Sequence, residues 1–108
     1  MKSAIWICFD LGVRGDYGSL YTWLDEHEAK ECGDSLGFLN YEYSGSLVKS
    51  LTAELEKVLM PTKQTRVYFI YRDNETKKMK GSFIIGGRKA SPWFGYAVRA
   101  TQPDMEES

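Results

Sequence analysis

The sequence predicts an α+β sandwich, in which a mainly antiparallel sheet carries two helices on one face. Apolar patterns follow one another along the chain in the order strand, helix, strand, helix, strand, strand. The first run, Ala4–Phe9, is apolar at successive positions, which suits a central strand covered on both faces or a strand at a dimer contact. With 108 residues, 43% of them hydrophobic and 27% charged, the chain suits one globular domain.

The first strand ends at a carboxylate, Asp10, and a glycine-punctuated turn leads to the first helix. Asp16 is a suitable N-cap for a helix from about Tyr17 to Glu28. Cys32-Gly33-Asp34 then closes this segment. One face of the predicted helix is apolar at i, i+3, i+4 and i+7 and comprises Tyr17, Leu20, Tyr21 and Leu24.

The aromatic run Leu36–Tyr43 predicts a second strand, since it is bounded by turn residues on both sides. Ser44 or Ser46 then caps the second helix, which Pro61 stops. This helix has the broadest apolar stripe in the sequence, formed by Leu47, Val48, Leu51, Leu55, Val58 and Leu59.

Two further strands, Thr65–Arg72 and Lys80–Gly86, are predicted to form a hairpin, because the residues between them have turn chemistry. A short last strand is predicted at about Tyr96–Arg99. Residues 1–101 therefore form the predicted domain, and the acidic residues 102–108 are predicted to be a disordered tail.

The formal net charge of −1 conceals an uneven distribution. Residues 1–61 hold five basic and ten acidic side chains, whereas residues 62–102 hold nine basic and two acidic ones. This division indicates a basic face for an acidic partner, attraction between two copies of the chain, or only solvated lysine-rich loops.

The sequence also argues against several classes of protein. No apolar run approaches the roughly 20 residues that span a bilayer, and no signal peptide is evident, so we expect a cytoplasmic protein without membrane contact. Cys8 and Cys32 are well separated, which favours reduced thiols. The lone histidine, His27, is expected at an exposed helix end, which argues against zinc and a catalytic triad.

Asp10 and Asp16 are the candidate metal ligands. Two carboxylates brought together across the turn could hold Mg²⁺ or Mn²⁺, and the metal could polarise a phosphate. The alternative is that Asp10 caps the turn and Asp16 caps the helix.

A basic and aromatic group in the second half of the chain is the candidate surface for nucleic acid or a protein partner. The alternative is that charges on a hairpin and edge strand only resist aggregation. Trp93 and its aromatic neighbours Phe94 and Tyr96 could equally cover the open end of the core or form a dimer contact. The candidate binding residues are Arg66, Arg72, Lys77, Lys78, Lys80, Arg88, Lys89 and Trp93, interleaved with Tyr68 and Tyr71.

Several segments resemble a known group of proteins in their order and spacing. They are Phe9-Asp10-Leu11, Gly33-Asp34-Ser35, Tyr41-Glu42-Tyr43, the leucines Leu47, Leu51 and Leu55, and Arg66–Tyr71. Together they cover residues 3–73, and they resemble the small ferredoxin-like nuclease subunits associated with CRISPR arrays and the related virulence-associated protein D family.

The resemblance implies a ferredoxin-like fold, and this chain departs from the family in that only about ten residues, 34–43, must supply both middle strands. It also implies a homodimer in which strand-end aspartates face each other and bind a divalent metal; Asp10 alone matches that position. The acidic first helix departs from the basic one of the nuclease-like members.

Two functions follow from the sequence. The first is a small homodimeric, nucleic-acid-associated protein with metal-dependent phosphodiester cleavage. The second is a non-catalytic protein-interaction module that uses the C-terminal hairpin and aromatic segment.

Overall fold

The computed structural model describes residues 1–97. It is an α+β structure with two helices and one five-stranded antiparallel sheet in the order β2-β3-β1-β4-β5. The predicted fold class is confirmed at this level. The elements are β1 (Lys2–Asp10), α1 (Tyr17–Glu26), β2 (Lys30–Gly33), β3 (Leu36–Glu42), α2 (Leu47–Val58), β4 (Arg66–Arg72) and β5 (Met79–Ile85).

Strand β1 is the central strand of the sheet, as predicted, but the described chain does not cover it on both faces, since Cys8 is exposed on the side opposite Ile7. It pairs with β3 on one side and with β4 on the other, and both pairings are antiparallel. Ile7, which is fully buried, lies opposite Gly37 of β3 and Phe69 of β4. Because side chains alternate along a strand, Ile5 and Phe9 face the same way as Ile7 and form the centre of the core.

Both helices pack on the face of the sheet that carries Ile7. The buried Tyr41 of β3 shows this directly, since its ring lies 6.3 Å from that of Trp23 in α1 and its hydroxyl contacts Ser50 in α2. The arrangement is compatible with a two-layer sandwich. The helices contribute Leu20, Trp23, Leu47, Leu51 and Leu55 to the core.

Strand β2 was not predicted, and the interpretation of this segment needs correction. Helix α1 ends at Glu26, and the chain turns at Glu28, which has a positive φ of 55°. From Lys30 the chain forms β2, which pairs antiparallel with β3. Residues 30–42, rather than 34–43, therefore form the second and third strands along the chain. β2 has four residues, and three of them are exposed, so the sequence shows no apolar alternation that could have indicated a strand. The pairing of β2 with β3 also contains a register shift between Glu31 and Gly33.

The chain after β5 forms turns instead of the predicted strand as far as it is described. The amide of Phe94 donates to the carbonyl of Ser91, and that of Tyr96 donates to the carbonyl of Trp93. The rest of the predicted strand, the domain end at residue 101 and the tail 102–108 lie outside the described residues. Neither helix in residues 1–97 has the length and apolar character to cross a membrane.

Candidate functional site

The face of the sheet opposite the helices, here called the open face, is covered by neither helix of the described chain. Its members follow from strand pairing, since directly opposed residues point to the same side. They are Lys30 of β2, Leu36, Phe38, Asn40 and Glu42 of β3, Lys2, Ala4, Trp6, Cys8 and Asp10 of β1, Arg66, Tyr68, Ile70 and Arg72 of β4, and Met79, Gly81 and Phe83 of β5.

Two aromatic pairs form the centre of the open face. Trp6 and Phe38 lie opposite each other on the adjacent strands β1 and β3, with ring centroids 5.0 Å apart and tilted by 53°. Tyr68 and Phe83 pair in the same way across β4 and β5, with centroids 4.8 Å apart. All four rings are only partly buried, and Ile70 between the two pairs is 39% exposed. The open face therefore presents aromatic and aliphatic side chains that could contact a ligand or another chain.

Arg88 reaches over the second aromatic pair from the segment after β5. Its guanidinium carbon lies 5.5 Å from the Tyr68 centroid and 5.7 Å from the Phe83 centroid, which is cation–π distance. Gly86 makes this return possible, because its φ is 77° and a β-carbon there would lie 2.6 Å from the carbonyl oxygen of Thr65.

Basic residues lie at both ends of the open face. Arg66 is at one end of β4 and Arg72 at the other, roughly 20 Å apart at about 3.3 Å per residue. Lys2 lies near the Arg72 end, and Lys30 lies beside Phe38. The open face carries two acidic residues, Asp10 and Glu42, and Asp10 is already paired with Arg66.

The structure divides the predicted binding residues into two groups. Arg66, Arg88, Lys89 and Trp93 line one cavity at the Asp10 end of the sheet. The second group, at the β4–β5 hairpin, comprises Arg72, Lys77, Lys78 and Lys80.

The hairpin group is organised around a local network. The guanidinium Nε of Arg72 donates to the carbonyl of Lys77 at 3.5 Å. Lys80 lies opposite Tyr71, on the helix side, and its ammonium is 3.1 Å from a carboxylate oxygen of Asp73. Because this hydrogen bond stabilises the charged form, the pKa of Lys80 is raised. Lys80 is therefore engaged with the turn, and it does not point to the open face.

Asp10 and Asp16, the predicted metal ligands, are each held by protein donors. Asp10 accepts from the Nη2 of Arg66 at 2.8 Å and from the amide of Gly12 at 3.3 Å, and the Arg66 hydrogen bond is the main reason that its pKa is lowered. Asp16 accepts from the amides of Ser19 at 3.2 Å and Met60 at 3.1 Å. The hydrogen bond from Ser19 is the leading cause of its lowered pKa.

These contacts match the alternative roles as turn cap and helix cap. Within residues 1–97 no group of three or more His, Cys, Asp or Glu side chains is placed to hold a metal ion. Metal binding at Asp10 and Asp16 stays a prediction.

A cleft at the Asp10 end of the sheet, here called the strand-end cleft, consists of two cavities of about 600 and 350 Å³. Both are lined by Asp10, Arg66 and Lys89. The larger one is also lined by Arg88, Phe83, Ala90, Ser91, Pro92 and Trp93. The smaller one is also lined by Gly12, Lys63, Gln64, Thr65, Gly86 and Gly87.

A polar cluster between the helices was missed by the sequence analysis. Glu54 of α2 accepts from the Tyr41 hydroxyl at 2.8 Å and from the indole N–H of Trp23. His27, expected at an exposed helix end, is half-buried, and its Nε2 lies 3.5 Å from the same carboxylate. Ser50 and Glu54 are four residues apart beside the apolar stripe of α2, which is the signal that could have indicated this cluster.

Burial raises the pKa of Tyr41 above its ordinary value of 10.0, and its hydroxyl donates to Glu54. The cluster joins α1, α2 and β3, and we assign it a structural role.

In comparisons with known proteins, the chain matches no family model, no curated protein and no solved structure. The resemblance to the CRISPR-associated and virulence-associated families therefore stays a prediction, and the function has to be argued from geometry.

Proposed function

We propose that this protein binds single-stranded nucleic acid on the open face of its sheet. The observation that carries the proposal is the Trp6–Phe38 pair, which places two outward-facing aromatic rings side by side on adjacent strands. Unpaired bases stack on such rings, and each stacked base contributes about 1–3 kcal/mol. The second pair, Tyr68–Phe83, lies towards the other edge of the sheet, where Arg88 lies over both rings and supplies a cation beside the stacked bases.

The charges around these rings suit a phosphate backbone. Basic side chains outnumber carboxylates on the open face, and Arg88 adds a cation above Tyr68. Arg66 and Arg72 bracket the aromatic centre from opposite ends of β4. A strand crossing the sheet could therefore stack its bases at the centre and place phosphates near cations at both ends.

The fold that we propose is ferredoxin-like, with one added strand. The elements β1, α1, β2, β3, α2 and β4 follow the βαββαβ order, and the four strands lie in the order β2-β3-β1-β4. β5 then extends the sheet beside β4. In RNA-binding sheets of four strands, aromatic residues on the sheet surface stack two or three bases, which is the arrangement that Trp6 and Phe38 make available here.

Binding of this kind requires no metal and no cleavage step. The carboxylate of Asp10 is engaged with Arg66, and that of Asp16 caps α1. Metal-dependent phosphodiester cleavage by Asp10 is therefore a separate proposal, and its test is different.

A second candidate function, protein interaction or self-association, is favoured by the exposed aromatic segment, residues 93–96. Trp93 is 73% exposed, and Phe94 and Tyr96 are each 85% exposed. Such residues are typical of contacts between proteins. The segment does not cover the core in the described chain, so a dimer contact stays a prediction for it, beside the predicted role of Trp93 in binding nucleic acid or a partner.

The nucleic-acid proposal is tested by fluorescence anisotropy with a labelled mixed-sequence oligonucleotide, as single-stranded DNA, single-stranded RNA and duplex DNA. Trp6→Leu and Phe38→Leu keep an apolar side chain but remove the ring, and each should weaken single-strand binding by about 10-fold, or 1.4 kcal/mol. Tyr21→Leu is the matched control, because Tyr21 is 51% exposed on α1, in the helical layer.

Unchanged affinity in both ring-deleted variants would contradict the open-face site. If the wild type binds none of the three oligonucleotides, the proposal fails and the protein-interaction candidate takes precedence. Urea unfolding of each variant shows whether a loss of binding reflects a loss of folded protein.

A further inference from the structure

We infer that the strand-end cleft binds the phosphomonoester group of a nucleotide, and that it thereby receives the phosphorylated end of a strand lying on the open face. This inference rests on the proposed function where it concerns the strand. The binding of the phosphate itself depends only on the cleft.

The cleft has the size and charge for such a group. The larger cavity, about 600 Å³, lies within the range of sites for small ligands. Four basic residues, Lys63, Arg66, Arg88 and Lys89, line the two cavities, against the single carboxylate of Asp10. That carboxylate is already neutralised by Arg66 at 2.8 Å, so the cleft has an excess of positive charge.

Its cations favour a phosphomonoester over a backbone phosphodiester. A terminal phosphate carries about −1.5 to −2 charges at pH 7 and three acceptor oxygens, whereas a diester carries one charge. Guanidinium groups bind such oxygens in a bidentate manner. Arg66 lines both cavities, so its guanidinium is placed to contact such a phosphate from either of them.

Asp10 acts here as a positioning residue. It holds the Nη2 of Arg66 at 2.8 Å, and the amide of Gly12 holds Asp10 in turn at 3.3 Å. The guanidinium is therefore oriented at the junction of the two cavities, which both include Arg66.

The apolar wall of the cleft provides a place for the base. Phe83 belongs both to the open face and to the larger cavity, so the two surfaces are continuous. Trp93 lines the same cavity and is 73% exposed, which leaves its ring available for stacking. A strand that stacks on Trp6 and Phe38 and continues across β4 towards Phe83 would therefore reach the cations of the cleft with its terminal nucleotide.

The experiment compares one internally labelled single-stranded oligonucleotide in three forms: 5′-phosphorylated, 3′-phosphorylated and without a terminal phosphate. One of the two terminal phosphates should raise the affinity of the wild type by about 10-fold. Lys89→Gln should reduce this gain to less than about 3-fold, which is under 0.7 kcal/mol. Lys57→Gln, an exposed lysine in the last turn of α2, is the matched control and should retain the gain.

The ratio of affinities separates the two proposals. Trp6→Leu should weaken all three forms equally and leave the ratio unchanged, whereas Lys89→Gln should change the ratio. Equal binding of all three forms, or a gain that survives Lys89→Gln, would overturn the inference that the strand-end cleft binds a terminal phosphate. The proposal that the open face binds single-stranded nucleic acid would not be affected. Competition by millimolar adenosine monophosphate would identify a free nucleotide as an equally suitable source of the phosphate, and failure to compete would identify the strand end.

If no oligonucleotide binds, the proposed function fails, and phosphate binding by the strand-end cleft is then tested separately. Adenosine monophosphate is then titrated into ¹⁵N-labelled protein. Saturable shifts of the Arg88 and Lys89 amides that Lys89→Gln removes support the cleft. Absence of such shifts overturns it.

Discussion

The ring of Tyr68 lies over the backbone of Gly81, which is diagonally placed on the neighbouring strand β5. A β-carbon at Gly81 would overlap the phenol ring and its hydroxyl oxygen. The tyrosine can therefore lie over β5, in contact with Phe83 and beneath Arg88, only because position 81 has no side chain. This relationship connects one glycine to the shape of the proposed stacking surface.

Gly81→Ala should displace the Tyr68 ring and disturb the open face. We expect a loss of about 1–3 kcal/mol in the free energy of unfolding, as for other overpacked sites, together with weaker oligonucleotide binding. Gly18→Ala, on α1 and away from both proposed binding surfaces, is the control, since a β-carbon at that position would have no neighbouring atom within 4 Å outside its own helix backbone among the described residues. Urea unfolding and anisotropy measure the two effects. Equal behaviour of both variants would contradict the close contact.

Strong periodic patterns allowed most of the fold to be predicted. β1, β3, α2 and β4 were found within about two residues of their ends, because long apolar runs or helical stripes mark them. β2 was missed because a four-residue strand at the sheet edge buries too little to leave a pattern.

The candidate site was predicted by residue type but not by position. The basic residues were predicted as one binding group, and their role stays a prediction; their separation into two ends of the sheet depends on the register of β4 with β1 and β5. The Trp6–Phe38 pair depends in the same way on the register of β1 with β3. Trp6 stood within an apolar run and had no feature to distinguish it from core residues, since period-two alternation cannot show which face a helix covers.

Removal of Glu54 tests the polar cluster between the helices. Glu54→Ala leaves the indole N–H of Trp23 without its acceptor and deprives the buried Tyr41 hydroxyl of one of its two partners. We expect a loss of about 1–3 kcal/mol in the free energy of unfolding. Glu56→Ala, on the exposed side of the same helix, should change it by less than about 0.5 kcal/mol. A similar effect of both substitutions in urea unfolding would contradict the structural role of Glu54.

Asp73 should titrate at unusually low pH. Hydrogen bonding from Thr76, followed by that from Lys80, lowers its pKa from 3.8 to about 2. Because the folded-state pKa lies below the unfolded value, this group's contribution to stability is fully present above pH 3.8 and is lost as the pH falls towards 2. Carboxyl ¹³C shifts give the midpoint directly. Thr76→Val should raise it towards 3.8, and an unchanged midpoint in that variant would contradict the assigned cause.

Self-association stays a prediction, and the exposed aromatic segment, residues 93–96, is the contact that we expect between the two copies. We expect a homodimer at tens of micromolar, where a weak specific dimer with a micromolar Kd should persist. Light scattering of the wild type and of a Trp93→Ser, Phe94→Ser variant tests the contact, because the variant should be monomeric. Tyr21→Ser is the control for loss of an exposed aromatic side chain. A wild-type monomer would contradict the dimer, and a dimer that persists in the double variant would place the contact elsewhere.

Arg66 provides the sharpest test of metal binding at Asp10. The guanidinium occupies the carboxylate that a metal ion would need, at 2.8 Å, so the two cations compete for one ligand. Any Mn²⁺ binding by Asp10 should therefore become tighter in Arg66→Gln and disappear in Asp10→Asn. Paramagnetic broadening of the Asp10 and Gly12 amides during a millimolar Mn²⁺ titration measures this, with Asp25→Asn on α1 as the control for loss of a carboxylate away from the cleft. Broadening that is the same in wild type, Arg66→Gln and Asp10→Asn would remove Asp10 as a ligand and with it the proposal of metal-dependent cleavage.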